Sequence, residues 1–481
     1  MRIASFLFNN RTVKQTLLKN SVWLGFVKVA NLLTMLLSVI AARKFGADEF
    51  GKFSFAMAFV SLFSVVVTAG IPTIIIREFA REEKRKNLFA PLILLGVFLG
   101  VLAFFLILLF SIFITDDVRT KSIIIPLGIY IIIQGFTGIF FAFFRAYQKM
   151  EYEAWIKIPF LLVLFFVGMI ALFYFPSIES LSVSYLIASV VILALTVIFF
   201  SRRLHPISLR FDMGVMKHFL LLSWPLAFAS VFNMIYIYID SVFMGYWGMT
   251  QEIGWYNAAY KIVNFTTIPM FLVTDAFYPA LSSLKETAKK TQKIWDQFTG
   301  FMIIAAVPLI VGGIAIAPKI IRFFYGSSYD PSILAFQILI CVGGIMYLTA
   351  SYNTVLLVAN RQKILFLITA IGGIMNIVLN FILIPRFSLY GAAWATLITY
   401  FSMLALFVLY VRLKTEVKPI TRRVFSILIM SILATALMYG IITHSIIAKL
   451  PMLLLALIGF LSYSLSFLVF FKIHRRIFHT I

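Results

Sequence analysis

The sequence predicts an all-α polytopic membrane protein of about fourteen transmembrane helices. They are expected as two six-helix bundles related as parallel repeats plus a C-terminal helix pair, with the N- and C-termini cytoplasmic. Three observations carry this: composition, the length of the apolar runs, and the placement of the basic residues. Of 481 residues, 62% are hydrophobic and only 12% charged, where a soluble domain has about a quarter charged. The apolar residues come in runs of roughly 20 or more, the length that crosses ~30 Å of hydrocarbon. A cytosolic enzyme or a secreted domain is thereby excluded.

Residues 1–19 place Arg2, Arg11, Lys14 and Lys19 around Phe6, Leu7 and Phe8. This reads as a basic interfacial N-terminal segment on the cytoplasmic face, because the run after it is too long for a signal-peptide core. Runs at 20–42, 54–76, 87–114, 122–144, 154–175 and 180–201 fill an N-terminal bundle, 20–212. Runs at 217–246, 259–282, 297–318, 331–358, 363–385 and 389–411 fill a C-terminal bundle, 213–415. Runs at 423–443 and 450–472 form the extra helix pair within 416–481. With the N-terminus inside, the inside segments hold 30 Lys and Arg and the outside segments 10, leaving Lys28 alone within a span. Such a bias orients membrane helices, and its alternation over fifteen segments would not survive the loss of one span.

The chain also repeats itself. Aligning Ser21–Asn31 with Ser223–Asn233 pairs Ser21 with Ser223, Phe26 with Phe228 and Asn31 with Asn233, and the same offset pairs Gly46 with Gly248. The first helix of each bundle is therefore expected to be equivalent. Duplicated halves are common in transporters.

The excess of 41 basic over 18 acidic residues does not signal nucleic acid, since the cations are spread between apolar runs rather than gathered on one element. A single cysteine, Cys341, rules out an intrachain disulfide. There is no GxxxxGK[ST] loop, HExxH or GxSxG, and the five histidines lie at span ends or in loops, so no cofactor or metal is expected. Gly312-Gly313, Gly343-Gly344, Gly372-Gly373 and the pair Gly96/Gly100 read as close-packing or bending points. No connection exceeds about 20 residues, which removes enzymes whose chemistry sits in a large extramembrane domain.

Ionisable groups within spans cost about 2.5–3.5 kcal/mol even on lenient insertion scales, so they face protein or a wet cavity. Lys28 lies a third of the way into the first helix, Asp240 late in the seventh, and Asp275 in the eighth. Two readings stand side by side for them: interhelical pairing, or a hydrated cavity in which Lys28 attracts an anion and Asp240 or Asp275 exchanges H+ or Na+. Lys157 and Lys261 sit at span ends, where snorkelling also explains them. Asn31, Asn233, Asn353, Asn376 and Asn380 add buried polarity, with Asn376 and Asn380 one turn apart on one helix face. These amides fit sugar hydroxyls or neighbouring helices equally.

Several stretches resemble the polysaccharide-biosynthesis (Wzx-type) flippases of the multidrug/oligosaccharidyl-lipid/polysaccharide exporter superfamily. They are Ala42–Phe53, Gly70-Ile71-Pro72 with Arg77–Arg81, Arg145–Met150, Ser223-Trp224-Pro225 with Asp240, and Gly254–Lys261. Asn376–Asn380, Ile384-Pro385 and Gly391–Thr396 carry the strongest likeness, to "N..LN..lIP..g..GAA.AT".

The resemblance implies two six-helix bundles around a cavity that opens alternately to each side. It also implies passage of a polyprenyl-pyrophosphate-linked oligosaccharide from the cytoplasmic to the outer leaflet of the plasma (inner) membrane. Lys28 is then the first candidate for pyrophosphate or acidic-sugar contact, with Asn31, Asn233, Asp240, Lys261, Asn376 and Asn380 as further cavity candidates and Arg77 and Arg145 at the cytoplasmic entrance. Expected partners are the lipid-linked glycan, membrane lipids and H+ or Na+, with a monomeric protein that can associate with glycan-assembly enzymes. A lipid II flippase and a drug or cation exporter of the same superfamily are the alternatives. A membrane polysaccharide polymerase or ligase is the alternative of a different class, and it would need a sizeable outer loop.

Overall fold

A computed structural model of the chain describes residues 13–79, 88–204, 211–282, 288–415 and 417–478. Every regular element among them is helical. The described residues fall into two compact units, Met1–Gly254 and Trp255–Ile481.

The N-terminal unit runs α1 (Val13–Ala30), α2 (Leu32–Leu62), α3 (Ser64–Thr68), α4 (Ile71–Phe79), α5 (Phe89–Ile114), α6 (Val118–Ala146), α7 (Met150–Tyr174), α8 (Ile178–Arg203) and α9 (Met213–Tyr246). Helix α6 packs against α2, α4, α5 and α8, and α7 packs against α1, α2 and α8. Helix α9 lies on α2, α4 and α5, so this unit includes the helix that the internal repeat places first in the second half. Residues 13–19 continue directly into the first span as one helix. A knot of buried phenylalanines from four helices, Phe79, Phe89, Phe143 and Phe200, closes the end that carries the α6–α7 turn. Phe89 stacks on Phe79 at 5.3 Å and meets Phe143 edge-on at 4.7 Å, geometries that add to simple burial.

The second unit contains α10 (Thr250–Thr266, which begins in the first), α11 (Ile268–Ser282), α12 (Ala288–Tyr325), α13 (Ser332–Val358), α14 (Gln362–Lys414), α15 (Arg422–Thr443) and α16 (Met452–Phe478). Helix α12 is its centre, packing on α11, α13, α15 and α16. The last pair is tied in by Tyr463, whose hydroxyl bonds Ser431 at 2.7 Å and donates to the Ile304 carbonyl at 2.9 Å.

Ten helices among the described residues are long and apolar enough to cross a membrane, or eleven when the bent pair Met213–Phe228 and Ser230–Tyr246 counts as one. The chain is thus a multi-pass membrane protein. The difference from fourteen separate runs has local causes. Two of the ten stretches are 55 and 53 residues long, Gly25–Phe79 and Gln362–Lys414; each would reach ~80 Å as a straight rod against ~30 Å of hydrocarbon. Gly25–Phe79 instead leaves helical geometry at Gly46 (φ 76°, ψ 177°) and again at Ala69 and Gly70 (φ 43° and 70°), and Gln362–Lys414 does so at Ser388 (φ 54°, ψ −133°). The expected run at 259–282 is split at Thr267, two residues ahead of Pro269, which lacks the N–H that would continue the ladder. Tyr347 donates its hydroxyl to the Thr266 carbonyl at this break, at 2.6 Å.

A buried charge cluster and the candidate site residues

The α6–α7 turn begins where α6 runs out of helix. The amide of Lys149 reaches back to the Phe144 carbonyl at 2.8 Å, a Schellman closure, with Gln148 in the left-handed region at φ 55°. The same closure recurs at Met249 N–H to Met244 O (2.9 Å, with Gly248 at φ 74°) and at Arg361 N–H to Leu356 O (2.8 Å, with Asn360 at φ 57°). Glycine and asparagine are the usual residues there. Glutamine is not, and Gln148 is held by its neighbours: its side-chain oxygen accepts from Asn20 Nδ2 at 2.8 Å.

Beyond this turn two acids occupy the first turn of α7, where the helix dipole favours negative charge. Glu153 is fully buried and accepts both Arg145 bonds, Nε to Oε2 and Nη2 to Oε1, each at 2.7 Å. Lys157, one turn further on, donates to the same Oε1 at 2.7 Å. Glu151 accepts from Lys19 Nζ at 2.8 Å, with the lysine side chain fully buried. Three cations thus surround two carboxylates, and the excess charge lies on Arg145 and Lys157, whose side chains keep 39% and 28% of their surface exposed.

The opposite end of the unit is closed by backbone. An added Cβ on Gly51 would overlap the Thr250 carbonyl oxygen, and one on Gly254 the Ala47 carbonyl oxygen. The starts of the two helical segments that follow Gly46 and Gly248 therefore touch main chain to main chain, and the Thr250 hydroxyl donates to Asp48. Nearby, Asp117 caps α6. Burial raises its pKa, but bonds from the Thr120 hydroxyl (2.6 Å) and amide (2.9 Å) outweigh that and hold it below the usual carboxylate value.

Lys28 is half-buried in the last turn of α1, beyond Phe26 and beside Val29, both more than half exposed. Asn31 is exposed at the α1–α2 junction, where its carbonyl accepts from Thr34 Oγ1 at 2.7 Å. On α9, Asn233 is exposed and Asp240 is buried. Arg77 is exposed and bonds Glu78 at 3.1 Å. In the second unit, Lys261 is half-buried on α10 and Asp275 exposed on α11. Asn376 and Asn380 are brought together: both are fully buried on α14, and Asn380 Nδ2 donates to Asn376 Oδ1 at 3.0 Å. Asn376 Nδ2 is left without a bond among the described residues.

The acids of the buried cluster, Glu151 and Glu153, and its Lys19 were missed as site residues by sequence reasoning. A signal existed in the i, i+4 pair Glu153–Lys157 and in two acids standing in an otherwise basic segment. No local pattern links Lys19 to a partner 132 positions away. In the second unit the corresponding missed anchor is Asp296, which bonds Gln292 (2.8 Å) and Thr421 (3.1 Å), while Gln292 also pairs with both backbone groups of Lys418.

Comparison with known proteins agrees with this architecture. The probable flippase AglR of Haloferax volcanii is 28% identical over 173 residues, 35% of this chain and 36% of AglR, so the match spans about a third of that relative. The uncharacterized membrane protein MJ1068 of Methanocaldococcus jannaschii is 23% identical over 400 residues, 76% of this chain and 78% of the relative. Among solved structures, the lipid II flippase MurJ in an inward closed conformation superposes with a TM-score of 0.72 at 16% identity, covering 94% of this chain and 99% of MurJ. The polysaccharide biosynthesis protein family model matches residues 17–285, more than half of the sequence. The chain belongs to that family, and its motifs resemble the Wzx-type branch of the multidrug/oligosaccharidyl-lipid/polysaccharide exporter superfamily.

Proposed function

We propose that this protein is a flippase that moves a polyprenyl-(pyro)phosphate-linked oligosaccharide from the cytoplasmic to the outer leaflet by alternating access, for surface glycan assembly. The carrying observation is Lys28, a half-buried cation within an apolar span. A diphosphate with sugars cannot enter hydrocarbon, and a cation held at depth replaces part of its hydration. The likeness to AglR, a probable flippase, supports the transport step, and the match to the polysaccharide biosynthesis protein family supports a glycan as its cargo.

In this reading the chain makes fourteen crossings with both termini in the cytoplasm. The repeats are 20–212 and 213–415, and the pair within 416–481 is an addition. Asn31, Asn233, Lys261, Asn376 and Asn380 supply polarity for the glycan, Arg77 and Arg145 receive the headgroup, and Asp240 or Asp275 carries H+ or Na+. The protein works as a monomer in the plasma membrane, and the lipid tail stays in the bilayer throughout.

The test is transport in proteoliposomes of a fluorescent pyrophosphate-linked oligosaccharide, read by its accessibility to an external glycosidase, with and without an ion gradient. Protein-dependent flipping, reduced about tenfold or more in Lys28→Ala at equal insertion, is expected. Full transport by Lys28→Ala would remove that lysine from the mechanism. Extrusion of a cationic dye with no glycan movement would overturn the reading.

A further inference from the structure

A second site lies on the side of the N-terminal unit, where the start of α7 meets the end of α8. A groove of 290 Å³ is lined there by Lys149, Glu151, Tyr152, Trp155, Phe199 and Arg203. Its order along the helix axes is the informative feature. Trp155 lies about 9 Å deeper along α7 than Lys149, and Phe199 about 6 Å deeper along α8 than Arg203, at 1.5 Å per residue. The two cations therefore stand at the helix ends and the rings lie further in, with Trp155 half exposed and Tyr152 under the Lys149 ammonium at 5.8 Å.

The one acid in the lining does not cancel these cations, because the Glu151 carboxylate is buried against Lys19 at 2.8 Å. Neither Lys149 nor Arg203 has a carboxylate within ion-pair distance among the described residues. Basic pockets between spanning helices, edged by interfacial aromatic residues, hold anionic headgroups. A cavity of 290 Å³ is smaller than the roughly 300–1,000 Å³ clefts that enclose whole drug-sized ligands. It is large enough for a phosphodiester headgroup.

We propose that this groove binds one anionic phospholipid of the surrounding leaflet, with Lys149 and Arg203 on its phosphate and an acyl chain along Trp155 and Phe199. This goes beyond the transported substrate and does not depend on the flippase reading.

The experiment is native mass spectrometry of the full chain released from micelles containing equal phosphatidylglycerol and phosphatidylcholine. Wild type should retain phosphatidylglycerol. Lys149→Gln/Arg203→Gln should lose about tenfold or more of that retention, given about a kilocalorie per basic residue near the membrane surface. Arg422→Gln/Arg423→Gln, which removes the same charge elsewhere, should not. Unchanged retention in the groove variant, or equal loss in the control, overturns the proposal. So does displacement of the lipid by millimolar inorganic phosphate, which marks a free-anion site, or by a stoichiometric amount of a lipid-linked oligosaccharide, which marks a substrate site. If the double variant does not purify as a single species, quenching by brominated lipids decides. Trp155→Phe should then remove a quenching component larger for brominated phosphatidylglycerol than for brominated phosphatidylcholine, and equal components sink the idea.

Discussion

Glu153 illustrates how an intramembrane charge becomes tolerable. The carboxylate is fully buried, yet it accepts three charge-assisted hydrogen bonds of 2.7 Å from two cations. Removing one partner of such a group is worse than removing the whole pair, because a desolvated charge is stranded. Arg145→Ala removes the bidentate partner of the buried Glu153 carboxylate and should cost about 3 kcal/mol or more, read as a lower melting temperature in detergent. Lys157→Ala leaves the bidentate Arg145 pair intact and removes a partly exposed cation, so it should cost about 1 kcal/mol or less. Equal losses in the two variants would contradict this division of labour. Arg145, expected as an entrance residue, is thus also a structural partner of a buried acid.

Helix ends, not helix bodies, carry most of the specific information in this fold. Gly51 and Gly254 stand where two backbones meet, and a methyl group on either would overlap a carbonyl oxygen. Gly51→Ala and Gly254→Ala should therefore separate the two helix starts, break the Asp48–Thr250 bond and lower thermal stability. Gly138→Ala, with open space around its Cβ position, should be silent in the same melting assay. The spans themselves were legible because an apolar run of 20 residues in a membrane has one solution, the helix. The pairing of Gly46 with Gly248 was legible too, and both glycines have the same left-handed φ. What could not be read was which runs bend or break without changing composition. Thr267 interrupts a continuous apolar stretch for the sake of a proline and a tyrosine hydroxyl from another helix. Ser388 reverses a 53-residue helix although no glycine is present at the turn. The candidate site residues were chosen by depth alone, and the structure gives them different surroundings. Depth in sequence does not tell whether a side chain faces a neighbour, as Asn376 and Asn380 do, or the surface, as Asn233 does.

At the scale of the whole molecule, the compact units and the sequence repeat divide the chain at different places. The repeat expected from the sequence puts the start of its second copy at 213, whereas α9, which would open that copy, packs on α2, α4 and α5 of the N-terminal unit. Co-expressed fragments 1–212 and 213–481 should accordingly purify together, held by the seat of α9. Recovery of the tagged N-terminal fragment alone would contradict that packing. Lys19 has a further consequence, in the order of manufacture. Its partner is synthesised 132 residues later, after the whole of α2 through α6. During that interval the lysine is a solitary cation at the membrane edge, the kind of charge that fixes which way an emerging helix points. Once Glu151 arrives, the same ammonium disappears into the protein. A residue that begins as a signpost for insertion ends as a latch, and its two roles are separated only by time.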